Sequence, residues 1–340
     1  MKKESDYWRN ATVAVIGGGK WGTALAYLLS KNCQRVRLSV REEALARSIN
    51  ATRVSPAHPH LPLGPEIQAL SELARVFEGG VQAVVWALPS SVCRERARAV
   101  APFFRGDEIL LHATKGIEEG SLKRISEVLR EELPCPRIGV MSGPNLADEI
   151  ARGEPAATVI ASYFEEVVTA GQALLTSDRF RVYGANDVIG VEWAGTLKNV
   201  LAIAAGALDA MNLGANSRAM LISRGLAEMV RFGVSMGAKE STFLGLAGIG
   251  DLLATCSSPL SRNYRVGREL ARGRKRADIL AELGSTAEGV NTAQIVWEYA
   301  RTHGIQMPIT EGVYQLLFDG RATEDVLKAL MARPQIKDIY

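Results

Sequence analysis

The feature that most constrains this chain is a glycine-rich turn set between an apolar run and a helical pattern. Val13-Ala14-Val15-Ile16 reads as a short buried strand and Trp21 to Asn32 as a helix, joined by Gly17-Gly18-Gly19-Lys20-Trp21-Gly22. The spacing Gly17-x-Gly19-x-x-Gly22 is that of a dinucleotide-binding strand–turn–helix. Gly17 permits the tight turn, Gly19 lets the backbone approach a pyrophosphate, and Gly22 lets helix and strand pack closely. Free N–H groups and the positive dipole end of the helix face the phosphates. A plain turn is the competing reading, and FAD, NAD and NADP all stay open at this point.

The second strand narrows the choice. Val36, Leu38 and Val40 alternate with Arg37 and Ser39, the period of a strand. A NAD site usually places an acid at the end of this strand to bind the ribose hydroxyls. Here the strand ends at Arg41, and Glu42 and Glu43 suit the first turn of the next helix. Arg41 is either a partner for a 2′-phosphate, which favours NADP, or a solvated strand-end arginine.

Further strands are expected over Val81–Leu88, Glu108–Thr114, Arg137–Ser142, Thr158–Ala161 and Phe180–Tyr183, with helices between them. Such alternation predicts a doubly wound parallel sheet of the α/β Rossmann type, covered on both faces. After about Val188 only helical patterns remain. The expected organisation is therefore a dinucleotide-binding Rossmann domain over 1–190 and an all-helical substrate and catalytic domain over 191–340, with a cleft between them as the default ligand site. Lys115, Gly143 and Asn145 follow strand ends, where ligands of such sheets bind.

Bulk properties exclude several classes. A net charge of +3 over 340 residues gives no general attraction to nucleic acid or anionic membrane. No uninterrupted apolar run approaches a membrane span, and Glu4, Asp6 and Arg9 break any signal-peptide core. Cys33, Cys93, Cys135 and Cys256 are scattered without a Cys-x-x-Cys, which suits a reducing cytosol and argues against a zinc site. His58 and His60 lie in a proline-rich stretch, Pro56 to Pro65, read as a surface loop, so no metal is expected. The oligomeric state is open, and a homodimer is allowed.

The chemistry-bearing residues fall in the helical part. Lys198 sits in a long apolar helix, with Val191, Gly195 and Ala202 on its own face and no counter-charge among them. Desolvation lowers the pKa of such an amine, so it can donate a proton near neutrality. The alternative is a stem packed on the helix with the amine in water. Asn199 could orient a substrate oxygen. Asp251, after three glycines, is read as an N-cap, or else as a partner positioning a buried lysine. Ser261, Arg262 and Asn263 open another helix, with Ser261 as cap and the other two pointing outward. Free N–H groups, a hydroxyl and a guanidinium make this a phosphate cradle; an ordinary capped helix is the plain alternative.

Taken together, these segments make the chain resemble the bacterial-type NAD(P)-dependent glycerol-3-phosphate dehydrogenases from about Thr12 to about Arg333. The resemblance is carried by Gly-x-Gly-x-Trp-Gly-Thr-Ala-Leu-Ala at Gly17 to Ala26, Ala-Thr-Lys-Gly-Ile-Glu at Ala113 to Glu118, and Ser-Gly-Pro at Ser142 to Pro144. Leu-Lys-Asn-Val at Leu197 to Val200, Arg-Gly-Leu-Ala-Glu-Met at Arg224 to Met229 and Gly-Leu-Ala-Gly-Ile-Gly-Asp-Leu at Gly245 to Leu252 follow. Ser-Pro-Leu-Ser-Arg-Asn at Ser258 to Asn263 and Ala-Glu-Gly-Val at Ala287 to Val290 complete it.

The resemblance implies reversible reduction of dihydroxyacetone phosphate to sn-glycerol 3-phosphate, a phospholipid precursor; the cysteine pattern places the expected protein in the cytoplasm. It implies Lys198 as acid/base, and substrate contacts from Lys115, Gly143, Asn145, Asp251, Ser261, Arg262 and Asn263. Trp21, Arg41, Lys115, Ala147, Arg262 and Glu288 would contact NADP or NAD beside the turn residues Gly17, Gly19, Lys20 and Gly22. Three positions depart from the family pattern. Lys20 stands where serine is usual, Asn145 where serine or threonine is usual, and Ala215 where aspartate is common. A reductase of hydroxy acids or imines and a non-catalytic NADP sensor are the alternatives. The first would need a carboxylate partner other than Arg262, and the second has no need of a tuned amine.

Overall fold

The computed structural model describes residues 7–283 and 287–334. Lys2, Lys3, Glu4, Asp6 and Tyr340 lie outside them. The described residues form two compact units, one within 7–114 and 123–188, the other within 115–122, 189–283 and 287–334. The short segment after Thr114 thus belongs with the helices that follow Val188, although sequence places it among the strands.

In the first unit the order is β1 (Thr12–Ile16), α1 (Lys20–Leu29), β2 (Arg35–Ser39), α2 (Glu43–Thr52), β3 (Val54–Ser55), β4 (His58–Pro62), β5 (Ile67–Leu70), α3 (Leu73–Phe77), β6 (Ala83–Trp86), α4 (Cys93–Val100), β7 (Ile109–His112), α5 (Ile125–Glu132), β8 (Ile138–Ser142), α6 (Ala147–Ala151), β9 (Ala156–Ser162), α7 (Glu165–Leu175) and β10 (Phe180–Ala185). The main sheet has the order β10-β9-β8-β7-β6-β1-β2-β5. β1, fully buried, lies between β2 and β6 with parallel pairing on both sides, as its unbroken apolar run requires. Glu43 lies in the first turn of α2 as expected, and Glu42 stands one residue earlier at the N-cap position without a capping side-chain bond.

Two expectations are corrected. The sheet is not wholly parallel: β8 and β9 pair antiparallel, so β9 and β10 run against the other strands. Hydrophobic pattern marks a strand but not its direction, which the long β8–α6–β9 connection decides. The proline-rich stretch is not a loop either. Val54–Ser55 and His58–Pro62 form an antiparallel hairpin, and His58 is buried. Pro59 and Pro62 are tolerated because a two-stranded ribbon leaves one edge of each strand unpaired.

The second unit continues with α8 (Val188–Ala210), α9 (Ala215–Ser235), α10 (Glu240–Phe243), a π-helical turn over Leu246–Gly250, α11 (Asp251–Cys256), α12 (Arg262–Ala271), α13 (Arg276–Leu283), α14 (Glu288–Thr302), α15 (Pro308–Tyr314) and α16 (Thr323–Met331). By length and composition α8 could cross a membrane, but 89% of its most apolar window is buried in the fold. Glu192 and Lys198 interrupt its apolar run without lowering the average much, and the helix serves as the unit's core, with Trp193, Leu197 and Leu201 among its buried residues.

Where α8 crosses α12, backbone meets backbone. A Cβ on Gly206 would lie 1.9 Å from the Tyr264 carbonyl oxygen, and one on Gly267 would lie 1.8 Å from that of Ile203. Only glycine at both positions permits so close an approach, which fixes the first half of α12 against the C-terminal third of α8.

Candidate active site

In the first unit the glycine turn has the geometry a dinucleotide needs. Gly17 adopts φ +116°, a region closed to ordinary side chains, and a Cβ there would meet the Ala87 carbonyl oxygen at 2.6 Å. A Cβ on Gly22 would fall 1.7 Å from the Gly17 carbonyl oxygen, so only glycine lets α1 close on β1. Gly19 differs: nothing lies within 4 Å of where its Cβ would be. That open space in front of the α1 N-terminus suits a phosphate approaching the backbone. The residues therefore fit a dinucleotide pyrophosphate. Trp21 is half-buried, and Arg41 stands exposed just past the end of β2. Lys20, the first residue of α1, sends its amine to the Asp148 carboxylate, at 2.9 and 3.0 Å from its two oxygens.

Gly143 follows β8, and a Cβ there would press on the Ala157 oxygen and Thr158 Cα at 3.0 Å each. Asn145 is anchored at both ends of its amide: Nδ2 donates to the Ala157 oxygen at 2.9 Å, and Oδ1 accepts from Thr158 Oγ1 at 2.9 Å. Its side chain thus pins the β8–α6 connection to β9. Ala147, half-buried, begins α6.

In the second unit Lys115, Lys198 and Asp251 converge. Lys115 Nζ donates to Asp251 Oδ2 at 2.7 Å, Lys198 Nζ donates to Asp251 Oδ1, and Lys198 Nζ also reaches Thr255 Oγ1 at 2.7 Å. Side-chain exposure is 6% for Lys198, 2% for Asp251 and 18% for Lys115, so the carboxylate is sealed and Lys115 is the wettest of the three. The counter-charge missing from the Lys198 face of α8 comes from α11. Of the two readings of Asp251, pairing with a buried lysine holds; as the first residue of α11 its carboxylate turns to the amines instead of capping.

Burial pushes the Lys198 amine down from 10.5 to about 7; Asp251 pulls it up, Lys115 pushes it down again, and burial prevails. Burial alone would raise the Asp251 carboxyl, but the two ammonium groups overcome it and hold the group below the usual carboxylate value. The nearby Cys256 thiol is pushed up to about 12 by burial, which keeps it protonated and inert.

A chain of amides fixes the surroundings. Asn199 Nδ2 donates to the Lys115 carbonyl oxygen at 3.1 Å, Asn263 Nδ2 donates to Asn199 Oδ1 at 2.9 Å, and the Gly289 N–H donates to Asn263 Oδ1 at 3.0 Å. Asn199 and Asn263 are therefore braces joining residue 115, α8, α12 and α14, and both are buried. Asn263 does not point outward as expected, because its amide is used in that chain. Ser261 caps α12 by accepting from the Tyr264 N–H at 3.3 Å, and Arg262 is exposed at the same helix start. Glu288, half-buried, opens α14.

Sequence reasoning missed Thr255 and the His58–Lys20–Asp148 cluster. Thr255 follows Asp251 by four residues, the spacing that puts both on one helix face, and that signal was available. Nothing local in the sequence points Asp148 at Lys20.

A glycine-turn Rossmann unit and a helical unit holding a buried, carboxylate-paired lysine define a nicotinamide-dependent dehydrogenase. The comparisons agree. The profile for the N-terminus of NAD-dependent glycerol-3-phosphate dehydrogenase matches residues 12–168, and that for its C-terminus matches residues 187–328. A glycerol-3-phosphate dehydrogenase [NAD(P)+] from Pseudomonas paraeruginosa is 45% identical over 322 residues, 94% of each chain. One from Pseudomonas syringae pv. syringae is 44% identical over 96% of each. The crystal structure of glycerol-3-phosphate dehydrogenase from Coxiella burnetii superposes with TM-score 0.90 at 36% identity, covering 95% of this chain and 99% of that one. The chain belongs to the NAD-dependent glycerol-3-phosphate dehydrogenase family.

Proposed function

We propose that this protein interconverts dihydroxyacetone phosphate and sn-glycerol 3-phosphate with a nicotinamide dinucleotide, and that Lys198 is its acid/base. The observation that carries the reading is the buried Lys198–Asp251–Lys115 cluster, in which an amine is tuned to about 7 and held by a sealed carboxylate. The reduced nicotinamide, when bound, supplies a hydride from its C4 to the C2 carbonyl carbon.

The chain's own residues do the rest. Lys198 Nζ gives its proton to the carbonyl oxygen as negative charge develops there, and is left neutral. Asp251 and Thr255 hold that nitrogen in place through the transfer. The capped N-terminus of α12 and the exposed Arg262 guanidinium bind the substrate phosphate, which limits the orientations the carbonyl can take. Lys115 supplies a second positive charge to the anionic substrate. Gly143 and Asn145 shape the β8–α6 connection. In the other direction neutral Lys198 accepts the hydroxyl proton.

Gly17, Gly19, Trp21, Gly22 and Ala147 form the dinucleotide seat within the first unit; Lys115, Arg262 and Glu288 are the further cofactor contacts that the family pattern assigns. Arg41 favours NADP over NAD, since an exposed guanidinium past β2 offers a 2′-phosphate a partner and β2 ends without an acid. Cys33, Cys93, Cys135 and Cys256 are buried, and none forms a disulfide among the described residues, which suits a reducing cytoplasm. The test is direct. Lys198→Ala should lose turnover of dihydroxyacetone phosphate, followed by NADPH absorbance, while still binding NADPH. Equal loss of both would contradict the role, and repeating the wild-type assay with NADH reads the cofactor preference.

A further inference from the structure

Lys20 lies at the phosphate-binding turn, but its amine is held by another residue. It is the first residue of the ten-residue helix α1, next to Gly19, whose Cβ direction is open. Its Nζ makes both bonds to Asp148, in the first turn of α6. His58, on the buried side of the β3–β4 hairpin, holds the same residue from behind. Its Nε2 lies 2.8 Å from the Lys20 carbonyl oxygen, which can only accept, so Nε2 carries the hydrogen. Its Nδ1 faces Asp148 Oδ1 at 3.6 Å.

Backbone and side chain of Lys20 are thus held by different means. His58 pins the carbonyl, and its ring is 4% exposed. The ion pair is the opposite kind of contact, with the Lys20 side chain 61% and Asp148 26% exposed. An ion pair so exposed is weak and readily exchanged. A brace would be buried; this pair leaves the amine free to change partners while the turn stays still. Asp148 meanwhile places a carboxylate against the Lys20 amine at the turn that is to receive phosphates, and charges act over ~10 Å in ordinary salt.

We propose that Lys20 and Asp148 set dinucleotide affinity by competition: Asp148 holds the Lys20 amine in the free protein, and the cofactor phosphates draw it away. Lys20 then acts both as a phosphate partner and as the screen that cancels Asp148. The inference rests on the dinucleotide reading and adds that the two residues act with opposite sign.

The test is fluorescence titration of NADPH into the whole protein, needing no turnover, at about 50 mM and about 200 mM salt. Lys20→Met should raise Kd at least about tenfold, by removing an attractive charge and exposing a repulsive one. Asp148→Asn should lower Kd about threefold or more, because the amine no longer has to leave a carboxylate. Lys20→Arg should bind within about twofold of wild type, and Lys20→Met/Asp148→Asn should bind more tightly than Lys20→Met. These differences should shrink at the higher salt. If Asp148→Asn weakens binding as Lys20→Met does, or if neither moves Kd, the competition is refuted. Unfolding temperatures without ligand identify a variant that fails through folding, in which case the Lys20→Arg and double-variant results decide. Wild-type protein that binds no NADPH would overturn the dinucleotide reading itself, a different failure from variants that do not diverge.

Discussion

Replacing Asp251 by asparagine removes the one negative charge between two ammonium groups while keeping the shape of the side chain. A unit charge about 4 Å from another is worth about 4 kcal/mol at an effective dielectric of ~20, nearly three pH units at about 1.4 kcal/mol per unit. The asparagine still offers a carbonyl oxygen, and the site relaxes, so the realised shift is smaller. At least about one unit is expected. The direction is fixed: burial and Lys115 both depress Lys198, and only Asp251 opposes them, so its loss moves the amine below about 7. In the proposed mechanism reduction of dihydroxyacetone phosphate needs protonated Lys198, so its rate should decline as pH rises through that value. With the pKa lowered by one unit, the protonated fraction at pH 7 drops about fivefold. The assay is the initial rate of NADPH consumption from about pH 5.5 to about pH 8.5, in wild type and Asp251→Asn. The half-maximal pH should move down. A profile scaled in height but unmoved in position would refute the argument, for it would mean that Asp251 places the amine without tuning it.

Other outcomes follow from single contacts. Gly19→Ala should leave unfolding temperature unchanged, since nothing lies near the new methyl group, yet raise the NADPH Kd at least about tenfold; Gly22→Ala, whose Cβ would strike the Gly17 oxygen, should cost both stability and binding. Unchanged NADPH affinity in Gly19→Ala would mean that no phosphate approaches there. Arg262→Ala should chiefly raise KM for the phosphorylated substrate; an unaltered KM would count against the cradle at the start of α12. Glu228 on α9 accepts from the Ile309 and Thr310 N–H groups at 2.6 and 3.1 Å, and burial carries its carboxyl from 4.5 up to about 7. Between those values the folded chain keeps a proton the unfolded chain has released, so stability should fall as pH rises from 4.5 to about 7, by on the order of 3 kcal/mol. Glu228→Gln should remove that slope in denaturant titrations; an identical slope would assign it to other groups.

Much of the fold was legible because β1, β2 and β6 to β8 are short apolar or alternating runs that end at glycine, proline or charge. Strand direction was not, since the side-chain pattern of β9 is the same whichever way it runs. His58 was misread because prolines flank it, and local sequence does not record that a hairpin can bury one imidazole against the start of α1. The apolar face around Lys198 could be read from helical spacing. Its counter-charge could only be offered as one choice for Asp251, because 53 residues separate the pair and packing alone brings them together. Asn263 was expected to face outward because residues at a helix start often do; its partners come from α8 and α14, far along the chain.

The glycine-to-backbone crossing of α8 and α12 makes those helices a ruler. Lys198 and Asn199 stand on one, Ser261 to Asn263 on the other, and no side chain lies between the backbones at Gly206 and Gly267 to cushion a slide. The spacing between Lys198 and the start of α12 is thereby rigid. On the proposed roles of those residues, a molecule whose carbonyl and phosphate are one carbon too far apart, or too near, would satisfy one end only, and selection by length would follow from the crossing itself.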